Sequence, residues 1–332
     1  MKSYRIDELG SLDGLRPHED DVPRIGRGQV LVRVRASSLN FRDLMIVRGL
    51  YPFGPVTGRI AGSDGAGEIE AVGEGVTRFK VGDRVISNFF PNWIGGPLPA
   101  NLEHHQIQHE GYLTEYRAID AELLAAMPDH LTFEEASTLP CAALTAWSAL
   151  SGVEPGDTVL TLGTGGVSIF AVQLAKAFGA RVIATTSSTD KFEKLKALGA
   201  DDLIDYKDTP EWHQAVRDLT DGRGVDRIVE VGGPATIARS IKAVAQGGQV
   251  SLVGMLGGME GGEIDIMQLF FSQATYRPIA VGSRSDLEAM NRTIANRKIK
   301  PVIDRVFAFD EVPAALQHLD GRNVFGKVVI RH

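Results

Sequence analysis

Apolar and polar positions alternate differently in successive stretches of the chain. Through about residue 125 the runs are short. Val30–Val34 alternates apolar and charged residues, the period-two signal of a half-buried strand. Gly67–Val72 and Arg84–Ser87 are two further short strands, and Gly62, Gly65, Gly73, Gly75 and Gly82 mark the turns around them. Asn88–Gly111 has no period and is broken by proline and glycine, which predicts a long surface loop.

From about Leu131 the rhythm changes. Thr132 followed by Glu135 fits a capping box that opens a helix. Strands are then predicted at Thr158–Leu162, Arg181–Thr185, Asp202–Asp205, Asp226–Glu230 and Gln249–Val253. Between them lie helical patterns at Val167–Phe178, Lys191–Leu198, Trp212–Leu219 and Thr236–Ala245. Short apolar strands alternating with helices predict a parallel sheet covered on both faces, the doubly wound α/β architecture of nucleotide-binding domains. After about Gly258 this alternation stops. Ser285 with Glu288 predicts another capped helix, and the chain ends on a strand, Gly326–Ile330.

Composition narrows the classes. A chain of 332 residues with 43% hydrophobic and 23% charged residues is globular and long enough for two domains. Its net charge of -7 argues against a nucleic-acid surface. No apolar run is long enough to span a bilayer, and the first residues are too polar for a secretory signal, so a soluble cytoplasmic enzyme is expected. Cys141 is the only cysteine, which excludes an intrachain disulfide and a multi-cysteine zinc site.

The chemistry concentrates where the strand Thr158–Leu162 runs into Gly163, Gly165 and Gly166 and then a helix. Glycines there let the backbone turn and approach a pyrophosphate, which meets the helix N-terminal amides. Ser168 stands at the third fingerprint position, small enough for close helix–strand packing. At the end of the second strand an NAD site carries an acidic residue; this chain has Thr186, Ser187 and Ser188, with Lys191 following. Hydroxyls and an ammonium suit the 2′-phosphate of NADPH, so NADPH is favoured over NADH. The plainer reading makes Ser188, Thr189 or Asp190 a helix cap and Lys191 a solvated charge.

Together Asn40–Asp43, Gly62–Gly67, Val81–Val85, Leu139–Trp147, the glycine loop and Phe325–Ile330 resemble the medium-chain dehydrogenase/reductase superfamily, in its zinc-independent, quinone-oxidoreductase-like branch. The resemblance covers nearly the whole chain. It implies a GroES-like β-rich catalytic domain built from both chain ends (1–125 and 266–332) and a Rossmann NADP-binding domain between them (126–265), whose last strand could run to about 283. It also implies a homodimer with a continuous sheet, and a small-molecule substrate rather than nucleic acid or membrane. Tyr206 joins Lys191 on the phosphate side, and Thr145 lies near the nicotinamide ribose. Val167, Val231, Val253, Gly254, Gly282, Ser283 and Phe325 complete the candidate cofactor residues.

Zinc alcohol dehydrogenases of this superfamily hold the metal with Cys, His and Cys, and the matching positions here resemble Asn40, Ser63 and Cys141. An amide, a hydroxyl and one thiol do not make that ligand set, so no metal is expected. His104, His105 and His109 read as surface-loop histidines rather than ligands. Without zinc, a carbonyl must be polarised by hydrogen-bond donors, for which Asn40 and Tyr51 are the catalytic candidates. Asn40 reads equally as a helix cap, and Tyr51 as a rim tyrosine packed beside Pro52. Arg42 and Asp43 are expected to form structural pairs, and Cys141 to be an inert packing residue. Trp93, Phe89 and Phe90 either roof the pocket or anchor their loop. The expected activity is NADPH-dependent hydride transfer to a quinone or an activated C=C bond. The alternatives are a zinc-free alcohol dehydrogenase or carbonyl reductase, and an NADPH-binding protein without turnover.

Overall fold

The computed structural model describes residues 1–52, 57–258 and 263–332. They form two compact units: Met1–Leu144 with Val281–His332, and Thr145–Ala280. No helix among the described residues is long and apolar enough to cross a membrane.

The first unit is organised by one long strand, Gln29–Leu39, of which the predicted Val30–Val34 is the opening half. Its inward positions Val30, Val32 and Val34 are buried with Ile69, as the period-two pattern requires. It pairs antiparallel with Asp64–Val72, with Tyr116–Asp120 and with the C-terminal strand Lys327–Arg331. Val328 faces Leu39 and Ile330 faces Ser37, so the two chain ends share one sheet. Ile303–Ala308 extends that sheet at one end; Arg84–Ser87 and Leu124–Ala126 extend it at the other. A second buried cluster gathers Ile6, Leu39, Leu44, Leu316 and Ile330.

Two expectations change. Asn88–Gly111 holds no helix or strand, and its middle, 94–98, is exposed as a surface loop should be, but its two ends are not: Asn88, Phe89, Phe90, His104, His105 and Gln106 are all buried. Edge-to-face ring packing, Phe90 on His104 at 5.1 Å and His105 on Tyr112 at 5.2 Å, does there what a regular element would do elsewhere. The helix Arg284–Arg297 opens at Ser283, whose hydroxyl and backbone are bridged to Asp286, and not at Ser285 with Glu288. The box at Thr132 and Glu135 forms as expected.

The second unit is a six-stranded parallel sheet. Its strands are β1 (Thr158–Leu162), β2 (Arg181–Thr186), β3 (Asp202–Asp205), β4 (Val225–Glu230), β5 (Val244–Leu252) and β6 (Thr275–Pro278). They lie in the order β3-β2-β1-β4-β5-β6, all pairs parallel. Between them run α1 (Gly166–Ala177), α2 (Phe192–Ala197), α3 (Trp212–Leu219), α4 (Ile237–Ala243) and α5 (Ile266–Ser272). The order reverses beside β1, the switch point at which such sheets open a ligand crevice. β6 is an edge strand, and α5 beside it leaves Ile266, Phe270 and Phe271 between 65% and 68% exposed.

Candidate functional site

In the parallel-sheet unit, the cofactor candidates converge on the carboxyl ends of the strands. Leaving β1, the chain turns through Gly163 at φ +73°, a conformation that favours glycine. A Cβ built at Gly163 or at Gly165 would meet nothing within 4 Å, so both open onto unfilled space. Gly165 is the N-cap of α1 and brings no side chain to the first-turn amides, which leaves those donors for a ligand. Ser168 does more than fit: its hydroxyl donates to the Leu162 carbonyl at 2.7 Å, tying α1 to the end of β1. Gly163 N–H donates to Thr185 Oγ1 at 3.2 Å, which joins the loop to β2.

Lys191 is not a solvated charge. Its Nζ donates to Thr164 Oγ1 at 3.1 Å, so the ammonium stands over the glycine loop. Ser188 does cap the short turn Thr189–Lys191, and Thr186 is fully buried. Tyr206 follows β3, its N–H bonded to the Thr186 carbonyl at 2.9 Å and its side chain exposed. Val253 and Gly254 leave β5 beside β4, both N–H groups donating to the Glu230 carbonyl. Val231 and Thr145 are buried, and Val167 lies in the first turn of α1. Gly282, Ser283 and Phe325 belong to the other unit. There the Ser283 hydroxyl is taken up by Asp286, and Phe325 N–H donates to Asp304. One organiser escaped sequence reasoning. The buried Glu230 carboxylate accepts from Gly232 N–H at 2.7 Å, Gly233 N–H at 3.0 Å, Thr236 Oγ1 and Ser240 Oγ, and so shapes the turn after β4.

In the other unit the candidates surround the helix Phe41–Val47. Asn40 stands at its N-cap, but only through the backbone: its N–H donates to Asp43 Oδ2 at 2.7 Å. Asp43 Oδ1 in turn accepts from Gln106 Nε2 at 2.6 Å and from Ser63 Oγ at 3.4 Å. The Asn40 side chain goes elsewhere. Its Oδ1 accepts from Lys327 Nζ at 2.5 Å, and the same ammonium donates to the Leu39 carbonyl at 2.6 Å. A lysine has only donors, so it fixes the amide with oxygen inward; the Nδ2 donor, buried, has no hydrogen-bond partner among the described residues.

Beside this pair lies Asp64, fully buried. Burial pushes its carboxyl up to about 7, against the pull of Lys327 and of the Asn40 amide, and Asp43 adds to the rise. Asn40 acts there as a nearby dipole, since neither its Nδ2 nor Asp64 Oδ1 meets hydrogen-bond geometry. Asp64 Oδ2 accepts from the Cys141 N–H at 3.3 Å, on the wide π-helical turn Leu139–Ala143. Burial and then the Asp64 charge push the Cys141 thiol well above its ordinary value, the mark of an unreactive cysteine. Lys327 and Asp64 were quoted in the motifs above without a role. The signal was a lone lysine in an otherwise apolar terminal strand and a carboxylate inside a glycine run.

The remaining candidates are corrected in part. Asp43 makes the structural pairs expected of it, but Arg42 meets no carboxylate among the described residues: neighbours one residue apart on a helix diverge, and Arg42 lies between the Tyr51 and Phe89 rings, 4.9 Å from each centroid. Tyr51 is half-buried against that guanidinium and edge-on to His104 at 6.1 Å; Phe53, two residues on, lies outside the described residues. His104 and His105 are buried, not on the surface. Burial and the nearby cations lower them to about 4 and about 3, so both are neutral. His109 pairs with Glu103 at 2.6 Å. Phe89 and Phe90 are buried edge-to-face, and Trp93 Nε1 donates to the Gly96 carbonyl, all three anchoring their loop.

Comparison with known proteins completes the description. The family "Alcohol dehydrogenase GroES-like domain" matches residues 26–129 and "Zinc-binding dehydrogenase" matches 166–296. A zinc-type alcohol dehydrogenase-like protein of Schizosaccharomyces pombe is 42% identical, over 98% of this chain and 97% of its own length. The NADPH-dependent alkenal/one oxidoreductase, chloroplastic, of Arabidopsis thaliana is 31% identical over 99% of this chain and 79% of its own length. A crystal structure from Sinorhizobium meliloti 1021, described as that of a putative alcohol dehydrogenase, superposes with a TM-score of 0.94 at 40% identity, over 100% of this chain and 98% of that one. The split GroES-like sheet, the parallel nucleotide-binding sheet and these relatives agree: the chain belongs to the medium-chain dehydrogenase/reductase superfamily of oxidoreductases, in its quinone-oxidoreductase-like branch.

Proposed function

We propose that this protein is an NADPH-dependent, zinc-independent reductase of quinones or activated C=C bonds. The observation that carries the proposal is Lys327, an ammonium bonded to Asn40 Oδ1 and facing Asp64, among the positions where relatives with zinc place its ligands. A cation already present there repels a second one, Asn40 turns its oxygen to the lysine, and the Cys141 thiol resists ionisation. Among the described residues, no three His, Cys, Asp or Glu side chains cluster as a metal site. The residues do not fit zinc.

They do fit a dinucleotide. Gly163, Gly165, Gly166 and Val167 would receive the pyrophosphate, and Lys191 with Thr186, Ser187, Ser188 and Tyr206 the 2′-phosphate side. Thr145, Val231, Val253, Gly254, Gly282, Ser283 and Phe325 complete the set. When bound, NADPH supplies the hydride. Negative charge would then develop on the substrate oxygen, and the Asn40 Nδ2 donor, which lies beside Asp64, and the Tyr51 hydroxyl would stabilise it. Lys327 keeps that donor aimed; it is a positioning residue. The relative in Arabidopsis thaliana, named an NADPH-dependent alkenal/one oxidoreductase, supports this reading.

The test is NADPH and NADH consumption by the purified protein on a panel of quinones, enones and simple alcohols. NADPH oxidation with enones and quinones, unchanged by a chelator, is the expected result. Turnover of simple alcohols alone would replace the proposal with a zinc-free alcohol dehydrogenase. Binding of NADPH with no turnover would leave a cofactor-binding protein. We further propose a homodimer, supported by the open edge of β6 beside the exposed apolar face of α5, and a cytoplasmic location.

A further inference from the structure

Arg42 carries a charge that no carboxylate among the described residues pairs with. It is 9% exposed and clamped between the Tyr51 and Phe89 rings. Nη2 reaches the His105 carbonyl at a long 3.4 Å; Nε and Nη1 have no hydrogen-bond partner among the described residues. The half-buried Arg117 leans on acceptors, donating to the carbonyls of Ala118 and Glu110 at 2.7 and 3.2 Å. The buried Arg227 has, like Arg42, one long bond, to the Ala149 carbonyl at 3.3 Å, but it has no ring on either side among the described residues. The imidazoles nearby give no compensation, since His104 is held neutral by burial and by Arg42 itself. A guanidinium does not shed its proton, and an isolated charge removed from water is strongly disfavoured unless something pairs with it. The two rings hold its plane fixed, so the idle N–H donors are oriented before any ligand arrives.

We propose that Arg42 binds a carboxylate of the substrate, so that the preferred substrate is an unsaturated carbonyl compound that also carries an acid group. The turnover part of this statement rests on the reductase reading above; the binding part does not. An acid gives the donors their acceptor and the cation its counter-charge. A neutral analogue leaves both unmet, which is how such a site rejects it.

The test uses the NADPH-loaded full chain. Levulinate, a saturated keto acid with no C=C to reduce, is titrated by calorimetry against its methyl ester. The acid is expected to bind about 10- to 100-fold more tightly than the ester, the range of a charge-assisted hydrogen bond. Arg42→Gln should abolish that preference and Arg42→Lys keep part of it. In the kinetic arm, the ratio of kcat/KM for β-acetylacrylate over its methyl ester should fall by a similar factor in Arg42→Gln. Equal binding of acid and ester by the wild-type protein overturns the proposal, as does an unchanged ratio in Arg42→Gln. So does a variant that loses NADPH affinity but keeps the ratio, because Arg42 would then hold a cofactor phosphate. Acid-selective binding with no reduction of any substrate supports the site and defeats only the reductase reading. Circular dichroism and thermal unfolding of both variants separate these outcomes from misfolding, and Arg42→Lys keeps a cation between the two rings.

Discussion

Replacing Asp64 with Asn should change how stability depends on pH, in a direction the site dictates. In the folded protein the carboxyl titrates at about 7, against an ordinary 3.8. An acid whose value rises on folding holds its proton more tightly in the native state. The native state therefore binds more protons than the unfolded chain between these limits, and stability falls as pH rises through them. Integrating between pH 5 and 8, the site alone costs the wild-type protein about 2–3 kcal/mol. The groups facing Asp64 are Lys327, Asn40, Asp43, Tyr112 and the Cys141 thiol and N–H. Asparagine keeps an oxygen for that N–H but cannot ionise. Its stability relative to wild type should thus improve by about 2–3 kcal/mol on going from pH 5 to 8, whatever constant offset follows from depriving Lys327 of its counter-charge. The assay is urea unfolding at several pH values with Trp147 and Trp212 replaced by Phe, so that Trp93 reports on its own unit. A difference between the two proteins that stays flat across this range would refute the reasoning, and Asp64 would then be ionised or neutral throughout.

Other expected outcomes follow from the proposed roles of the candidate residues. Lys191→Ala should weaken NADPH about 10- to 100-fold in a binding titration and leave NADH nearly unchanged; equal weakening of both would make the lysine a general surface charge. Asn40→Ala and Tyr51→Phe should each lower enone turnover, by ~10²–10³ for a donor that meets the developing charge, with NADPH affinity unmoved. Elemental analysis should find less than one zinc per chain, and stoichiometric zinc lost together with activity would contradict the role given to Lys327. Phe270→Glu with Phe271→Glu should yield monomers in sedimentation velocity if β6 and α5 form the subunit contact.

What the sequence revealed tracks how locally each feature is determined. β1, β3 and α3 have the predicted limits because an apolar run between glycines and charges leaves little choice. The helix at residue 284 began two residues earlier than expected because Ser283–Asp286 and Ser285–Glu288 both satisfy the capping pattern; backbone packing, which buries Ser283, selects between them. The buried loop around His104 and His105 was hidden because ring-on-ring packing has no period. Asn40 and Tyr51 could be singled out by type, but their partners could not: Lys327 and Asn40 are 287 residues apart, and no local pattern joins Arg42 to the rings of Tyr51 and Phe89.

That separation of 287 residues also sets an order of assembly. Thr145–Ala280 is one continuous stretch and can begin folding once it has left the ribosome. The sheet around Gln29–Leu39 has to wait for Lys327–Arg331, which at ~5–20 residues per second follow Asn40 by roughly 15–60 s. During that interval the strand from residue 36 to 39 offers an unpaired edge, the moment of greatest exposure to mispairing. A chain clipped by a few residues at its carboxyl end would keep its glycine loop and lose the lysine that holds Asn40.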